Sequence, residues 1–148
     1  MKISKFKSTN EIFSIEFEEK IGESSVAFVV SSKDVPTEAF ADSLRNLKTV
    51  VKDICELNDD LQNIEVKGVS FSEQKDQNIG LVFTASRKLF NSDSPMNFNS
   101  PIKLLYPVGE EANNKALQDN YKVFVETFIE QCTEYVKGMR LQTSLKLE

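Results

Sequence analysis

The spacing of the apolar residues changes twice along the chain, and this pattern constrains the fold more than any other feature. Three strand patterns come first, at residues 3–7, 11–18 and 26–30. In the second, Phe13, Ile15 and Phe17 alternate with polar residues, which predicts a strand with one buried face. The third is a continuous apolar run, which predicts a central strand. Short polar turns between them predict a three-stranded antiparallel meander.

A helical period of three and four residues then replaces the alternation. It predicts a helix over residues 36–57, with Pro36 in the first turn and Asp34 near the cap. Strand patterns return at residues 64–71, 79–86 and 102–106. The apolar phase switches at Gly68, which indicates a β-bulge.

A long helix is predicted over residues 111–139 or beyond, followed by a tail, 141–148, that would be frayed. Two apolar stripes run along it: Leu117, Tyr121, Phe124, Phe128, Cys132, Tyr135 and Met139, and beside them Val125, Ile129 and Val136. So wide an apolar surface predicts packing on the sheet and the first helix, or additionally a homo-oligomer interface. The order β-β-β-α-β-β-β-α predicts a single α+β domain, 1–148, with an antiparallel sheet.

Composition excludes many functions. The chain has 148 residues, a net charge of -5 and no histidine. Without histidine, the usual general base, the Ser-His and Cys-His nucleophiles and most zinc sites are missing. We therefore expect no enzyme, metal or cofactor, and the acidic charge argues against a duplex-DNA binder. The two cysteines, Cys55 and Cys132, are expected to be reduced, and the chain to be cytoplasmic, with no membrane segment.

The connection 86–101 is the main candidate site, because long polar connections often carry function. It is predicted to have no periodic structure. Its candidate ligand-binding residues are Arg87, Lys88, Phe90, Asn97, Phe98 and Asn99. The two cations would hold phosphate, and an aromatic ring would stack on a base. The asparagine amides would form hydrogen bonds with the polar edges of the ligand. The alternative is that these residues only form turns, with Phe90 and Phe98 packed inward.

A second candidate is a basic patch on the first helix, where Arg45, Lys48 and Lys52 lie within two turns, beside Lys33. This patch could bind a row of phosphate groups. Acidic residues are interspersed with it, so the alternative is a solvated face with intrahelical ion pairs.

Segment 66–105 resembles small, poorly characterised proteins encoded by bacteriophages and prophages. The resemblance lies in a strand that ends in Arg87-Lys88-Leu89 and in the turn Asn99-Ser100-Pro101. Those proteins often carry histidine after the final proline, where this chain has Ile102. The resemblance implies a viral origin and a bacterial host cytoplasm.

Three functional hypotheses follow. The first is a non-catalytic binding protein that sequesters an anionic, nucleotide-derived ligand, such as a host immune signal, within an oligomer built on the last helix. The second is an accessory factor of phage replication or recombination that binds single-stranded DNA or a partner protein. The third is a carboxylate-dependent metal enzyme.

Overall fold

The predicted α+β fold is confirmed in a computed structural model, which describes residues 1–33, 36–74, 78–106 and 115–147, with side chains as far as residue 138. The first three strands form the predicted antiparallel meander: β1 (Lys2–Thr9), β2 (Ile12–Ile21) and β3 (Ser24–Ser32). The first turn consists of Asn10 and Glu11, both with positive φ (50° and 67°). This is the conformation of a type I′ turn, one of the two types that two-residue hairpins favour.

The first helix, α1 (Glu38–Ile54), begins at an N-cap formed by Thr37, whose hydroxyl accepts a hydrogen bond from the Phe40 N–H at 3.2 Å. Pro36 therefore precedes the cap, and the predicted cap Asp34 lies outside the described residues. At the other end, Glu56 takes a positive φ of 53°. The N–H groups of Glu56 and Leu57 bond to carbonyls of the last turn, which is the Schellman arrangement.

Two long strands follow, β4 (Ile64–Glu73) and β5 (Ile79–Arg87). The pairing of β4 with β5 shifts between Val66 and Gly68, so the predicted bulge is confirmed. Gly68 also meets β1, where an added Cβ would lie 2.8 Å from the Phe6 carbonyl oxygen. Strand β4 pairs with β1, which gives the sheet the order β3-β2-β1-β4-β5-β6.

The connection after β5 is not the aperiodic loop that the sequence predicts. Its second half forms β6 (Met96–Asn99), which pairs with β5. The next residue, Ser100, anchors this strand: its N–H donates to the Phe83 carbonyl and its hydroxyl accepts from the Phe83 N–H, both at 2.9 Å. The strand predicted at 102–106 is shorter than expected, since β7 covers only Lys103–Leu104 and pairs with another part of β5.

The last helix, α2 (Asp119–Leu147), starts later than predicted. Residues 111–114 lie outside the described part of the chain. Leu117 is not helical, and its N–H donates to the Leu104 carbonyl at 2.9 Å, which ties this stretch to β7. The backbone of 141–147, predicted as a frayed tail, is helical.

Both helices cover the same face of the sheet. Side chains alternate between the faces of a strand, so Phe6, Ile15 and Phe83 are buried while their neighbours point the other way. Phe6 lies at the centre of an aromatic cluster, with Phe128 of α2 at 5.0 Å and Phe40 of α1 at 5.9 Å between ring centroids. This cluster joins the sheet to both helices.

The wide apolar surface of α2 is explained largely by this core. Val125, Phe128, Cys132 and Val136 are buried, and the stripe residues between them are mostly half-buried against the cluster. Val123, which lies outside both stripes, is exposed. The predicted oligomer interface on this helix therefore stays a prediction.

The prediction of a central third strand is wrong. Strand β3 is an edge strand that pairs with β2 alone among the described strands, and most of its residues are exposed. An apolar run reports that both faces of a strand are apolar, but it does not determine the position of the strand in the sheet.

Candidate functional site

Arg87, the first predicted ligand-binding residue, is held by a carboxylate of its own chain. Its Nε lies 3.1 Å from Asp59 Oδ2, and its Nη2 lies 3.0 Å from Asp59 Oδ1. Two parallel contacts of this kind are the strong, bidentate form of the Arg–carboxylate pair. Asp59 follows α1, so the pair ties the end of β5 to the connection between α1 and β4. This geometry gives Arg87 a structural role.

The turn after β5 is exposed except at the half-buried Leu89. The Lys88 N–H donates to the Asn63 carbonyl at 2.9 Å, which fixes the start of the turn, while the Lys88 side chain extends into solvent. Phe90 at the tip is 97% exposed, so the prediction that Phe90 packs inward is wrong.

The three candidate residues in β6 do not share a face. Phe98 pairs with the buried Ala85 and packs against the core, as one of the alternatives predicts. Asn97 and Asn99 lie on the opposite, open face, and Asn99 Oδ1 accepts a hydrogen bond from the Thr84 hydroxyl at 3.0 Å. The six predicted residues are therefore near in sequence but do not converge on one ligand position.

The second predicted patch does lie beside a cavity. Arg45 and Lys48 line an open cleft of about 260 Å³ between α1 and the sheet, which we call the helix–sheet cleft. Its lining residues are Ser8, Phe13, Pro36, Ala41, Leu44, Arg45, Lys48, Glu65 and Val66. Lys52 lies one turn further along α1 and Lys33 is exposed in the segment that precedes it.

The apolar wall of the helix–sheet cleft is rigid. Phe13 is half-buried and belongs to the aromatic cluster, stacked on Phe6 at 6.2 Å and edge-on to Phe40 at 6.0 Å between ring centroids. Val66 is buried beside it. A ring fixed in this way offers part of one surface to a ligand without losing conformational freedom on binding.

The charged rim of the cleft is adaptable. Arg45 Nη1 contacts Asp42 Oδ1 at 2.7 Å, but both side chains are more than half exposed. Exposed pairs of this type contribute little to stability, so a better anionic partner can replace Asp42. Glu65 also lines the cleft, and its side chain, between the buried Ile64 and Val66 on β4, points to the open face of the sheet. The arrangement thus combines two cations with an aromatic wall.

The sequence identified the cations of the cleft but missed its other half. Phe13 and Glu65 lie on β2 and β4, far from α1 along the chain, and only the sheet order brings them together. The alternating pattern at Phe13 predicted that its side chain is buried, and nothing in the sequence indicated that it lines a binding site.

Other chemistry is sparse in the described parts of the chain. No group of His, Cys, Asp and Glu there could hold a metal ion. Burial raises the pKa of both the Cys132 and Cys55 thiols, with the larger effect at the more deeply buried Cys132. Both are free thiols, and neutral thiols are poor nucleophiles. None of the described helices is long and apolar enough to cross a membrane.

Comparison of the chain with protein-family models, with curated proteins and with solved structures finds no match. The fold and the cleft are therefore interpreted from the geometry of this chain alone.

Proposed function

We propose that this protein is a non-catalytic binding protein whose ligand is a small, nucleotide-type anion held in the helix–sheet cleft. The observation that carries the proposal is the position of Arg45 and Lys48 at the rim of a cleft that has Phe13 in its wall. It replaces the predicted site around Arg87, because Arg87 is already paired with Asp59.

The phosphate and the base of a nucleotide each find a suitable group in the cleft. Arg45 and Lys48 supply charge for a phosphate, and Arg offers a planar fork. Phe13 supplies an aromatic surface for a base. The volume of about 260 Å³ is just below the usual range of roughly 300–1,000 Å³ for small-molecule pockets, which suits a mononucleotide-sized ligand.

Binding without turnover is supported by the chemistry that the chain lacks. The sequence contains no histidine, and burial keeps the Cys132 thiol protonated. The resemblance of segment 66–105 to phage proteins supports a phage origin and a bacterial cytoplasmic setting. In that setting, sequestering a nucleotide-derived host signal needs affinity and no catalysis.

The test is thermal denaturation in the presence of a panel of nucleoside mono-, di- and triphosphates and cyclic nucleotides. A ligand present at about 100 times its Kd stabilises the protein by roughly 2.7 kcal/mol, which is readily measured as a rise in Tm. We expect Arg45→Ala and Lys48→Ala to remove the rise.

Lys20→Ala is the matched control, because Lys20 is an exposed cation on β2 outside the lining of the cleft. It should leave the rise intact. A panel that gives no rise, or a rise that persists in Arg45→Ala, contradicts the proposal.

One observation favours a second function, the binding of a partner protein through the turn after β5. Phe90, almost fully exposed at the tip of this turn, packs against none of the described residues of its own chain. Aromatic side chains of this kind are enriched among the residues that anchor protein interfaces.

The single-stranded DNA alternative receives no such support. In the described strands, the aromatic side chains all share the face that the helices cover, so the open face carries no ring on which a base could stack.

The binding of a partner protein through the turn after β5 is tested by cross-linking. A photoreactive residue in place of Phe90 should cross-link one protein in host cells. A Phe90→Ala protein, added as a competitor, should have lost its affinity for that partner and leave the labelling unchanged, which would confirm the contact. A Phe90→Ala competitor that reduces the labelling as well as the wild-type protein does would contradict it.

A further inference from the structure

The outer edge of the sheet at β3 is unusually open to pairing. The nine residues Ser24–Ser32 form a strand that pairs with β2 on one side, and no described strand covers the other. Alternate residues of an antiparallel strand direct their N–H and C=O groups away from the existing partner, so a row of main-chain groups faces outward. Val29 is 61% exposed on this strand, and Phe28 is 36% exposed.

Natural edge strands normally carry charges, proline or a bulge that prevents further pairing. Strand β3 has no charged residue and no proline, and its register with β2 is continuous from Phe13↔Ser32 to Ile21↔Ser24. The usual protection is therefore missing along its whole length.

The sequence of this edge is nearly the same in both directions. Around Phe28 it reads Ser-Ser-Val-Ala-Phe-Val-Val-Ser-Ser, so an antiparallel copy would place serine opposite serine and valine opposite valine or alanine. Just beyond the strand, Glu23 lies five residues before Phe28 and Lys33 lies five residues after it. Both are exposed. Continued beyond the strand ends, the same register brings Glu23, in the turn before β3, level with Lys33 of the other copy at both ends.

We propose that β3 pairs with β3 of a second copy of this chain, antiparallel and centred on Phe28, to form a symmetric dimer with one continuous sheet. A two-fold interface uses the same patch on both subunits and must be self-complementary, which is the property that this segment has. Shifting the register by two residues loses the Phe28–Phe28 pair and the two charge pairs, so the sequence specifies a single register.

The fold is compatible with this dimer. The two-fold axis is perpendicular to the sheet, so the helices of both copies lie on the same side. Phe28 points to that side, stacked on Phe17 at 5.4 Å between ring centroids and an interplanar angle of 19°. Two copies would bring four such rings together across the junction. A pair of strands nine residues long spans about 30 Å, which is long for an edge contact.

The first test is the mass of the protein in solution by light scattering or sedimentation. We expect twice the 16.8 kDa of the chain. Val29→Lys should give the monomer mass with an unchanged circular dichroism spectrum, because the side chain is exposed and an edge lysine blocks pairing. Val123→Lys is the matched control, since Val123 on α2 is 59% exposed. It should remain dimeric.

The second test concerns the register. Glu23→Lys places like charges opposite each other at both ends of the interface and should raise the dimer dissociation constant roughly tenfold. Adding Lys33→Glu restores opposite charges and should return the constant to near its original value. A monomeric wild-type protein, a dimer that persists in Val29→Lys, a dimer that is lost in Val123→Lys, or a charge reversal without effect would each overturn the proposal.

Discussion

Replacing Gly68 with alanine tests the narrowest point of the sheet. The two halves of the sheet are joined where β1 pairs with β4, through Lys5↔Ser70, Phe6↔Val69 and Lys7↔Gly68. A Cβ at position 68 would lie 2.8 Å from the Phe6 carbonyl oxygen. Because that oxygen belongs to the backbone, β1 and β4 would have to separate, and all three pairs would weaken together.

The magnitude is set by two opposing effects. Overpacking of this kind costs about 1–3 kcal/mol. Removing a glycine restricts the unfolded chain and returns about 0.4–1 kcal/mol. We therefore expect Gly68→Ala to lower the free energy of unfolding by about 1–2 kcal/mol, which lowers the Tm of a domain of this size by about 2–8 °C.

The assay is urea and thermal denaturation followed by circular dichroism at one protein concentration, because association would shift the Tm. Gly138→Ala is the control with the opposite sign. It lies within α2, and an added Cβ would meet no described atom within 4 Å beyond its chain neighbours and the backbone of its own helix. Alanine in a helix interior is favoured by about 1 kcal/mol. If Gly68→Ala were as stable as the wild type, the close approach of β1 and β4 would be refuted.

Three further predictions concern single residues. Glu56→Gly should raise the free energy of unfolding by about 1 kcal/mol in a urea titration, because glycine adopts the left-handed conformation at this helix end without strain. A decrease would contradict the Schellman assignment. Arg87→Lys should lower the free energy of unfolding by about 1 kcal/mol, because lysine cannot make both contacts with Asp59. An unchanged free energy would contradict the structural role of Arg87. Burial raises the pKa of Cys132 and Cys55 above the ordinary value of 9.0, so above this pH the unfolded thiols lose protons that the folded thiols retain. The free energy of unfolding should therefore fall as the pH rises above 9.0. Cys132→Val should show a smaller fall between about pH 8 and pH 10, and equal slopes would contradict this account.

Much of the fold was predictable because local periodicity reports which face of an element is buried. The alternation around Ile15 predicted β2, and the phase switch at Gly68 predicted the bulge. The alternating residues Met96 to Asn99 held a strand signal of the same kind, but it was only four residues long and was hidden among turn-forming residues.

The candidate site was much harder to predict than the fold. Arg87 had the right chemistry for a ligand, and nothing in the sequence indicated that Asp59 would neutralise it across 28 positions. The cleft combines Phe13, Arg45 and Glu65 from three elements. Their meeting depends on the insertion of β4 next to β1, and sheet order is not encoded in local periodicity.

The most direct test of the proposed function is a titration of isotope-labelled protein with the nucleotide panel, followed by amide chemical shifts. We expect saturable shifts at Phe13, Leu44, Lys48 and Val66, around the helix–sheet cleft. Shifts confined to the turn at Phe90, or no saturable shift with any nucleotide, would contradict the assignment of the site.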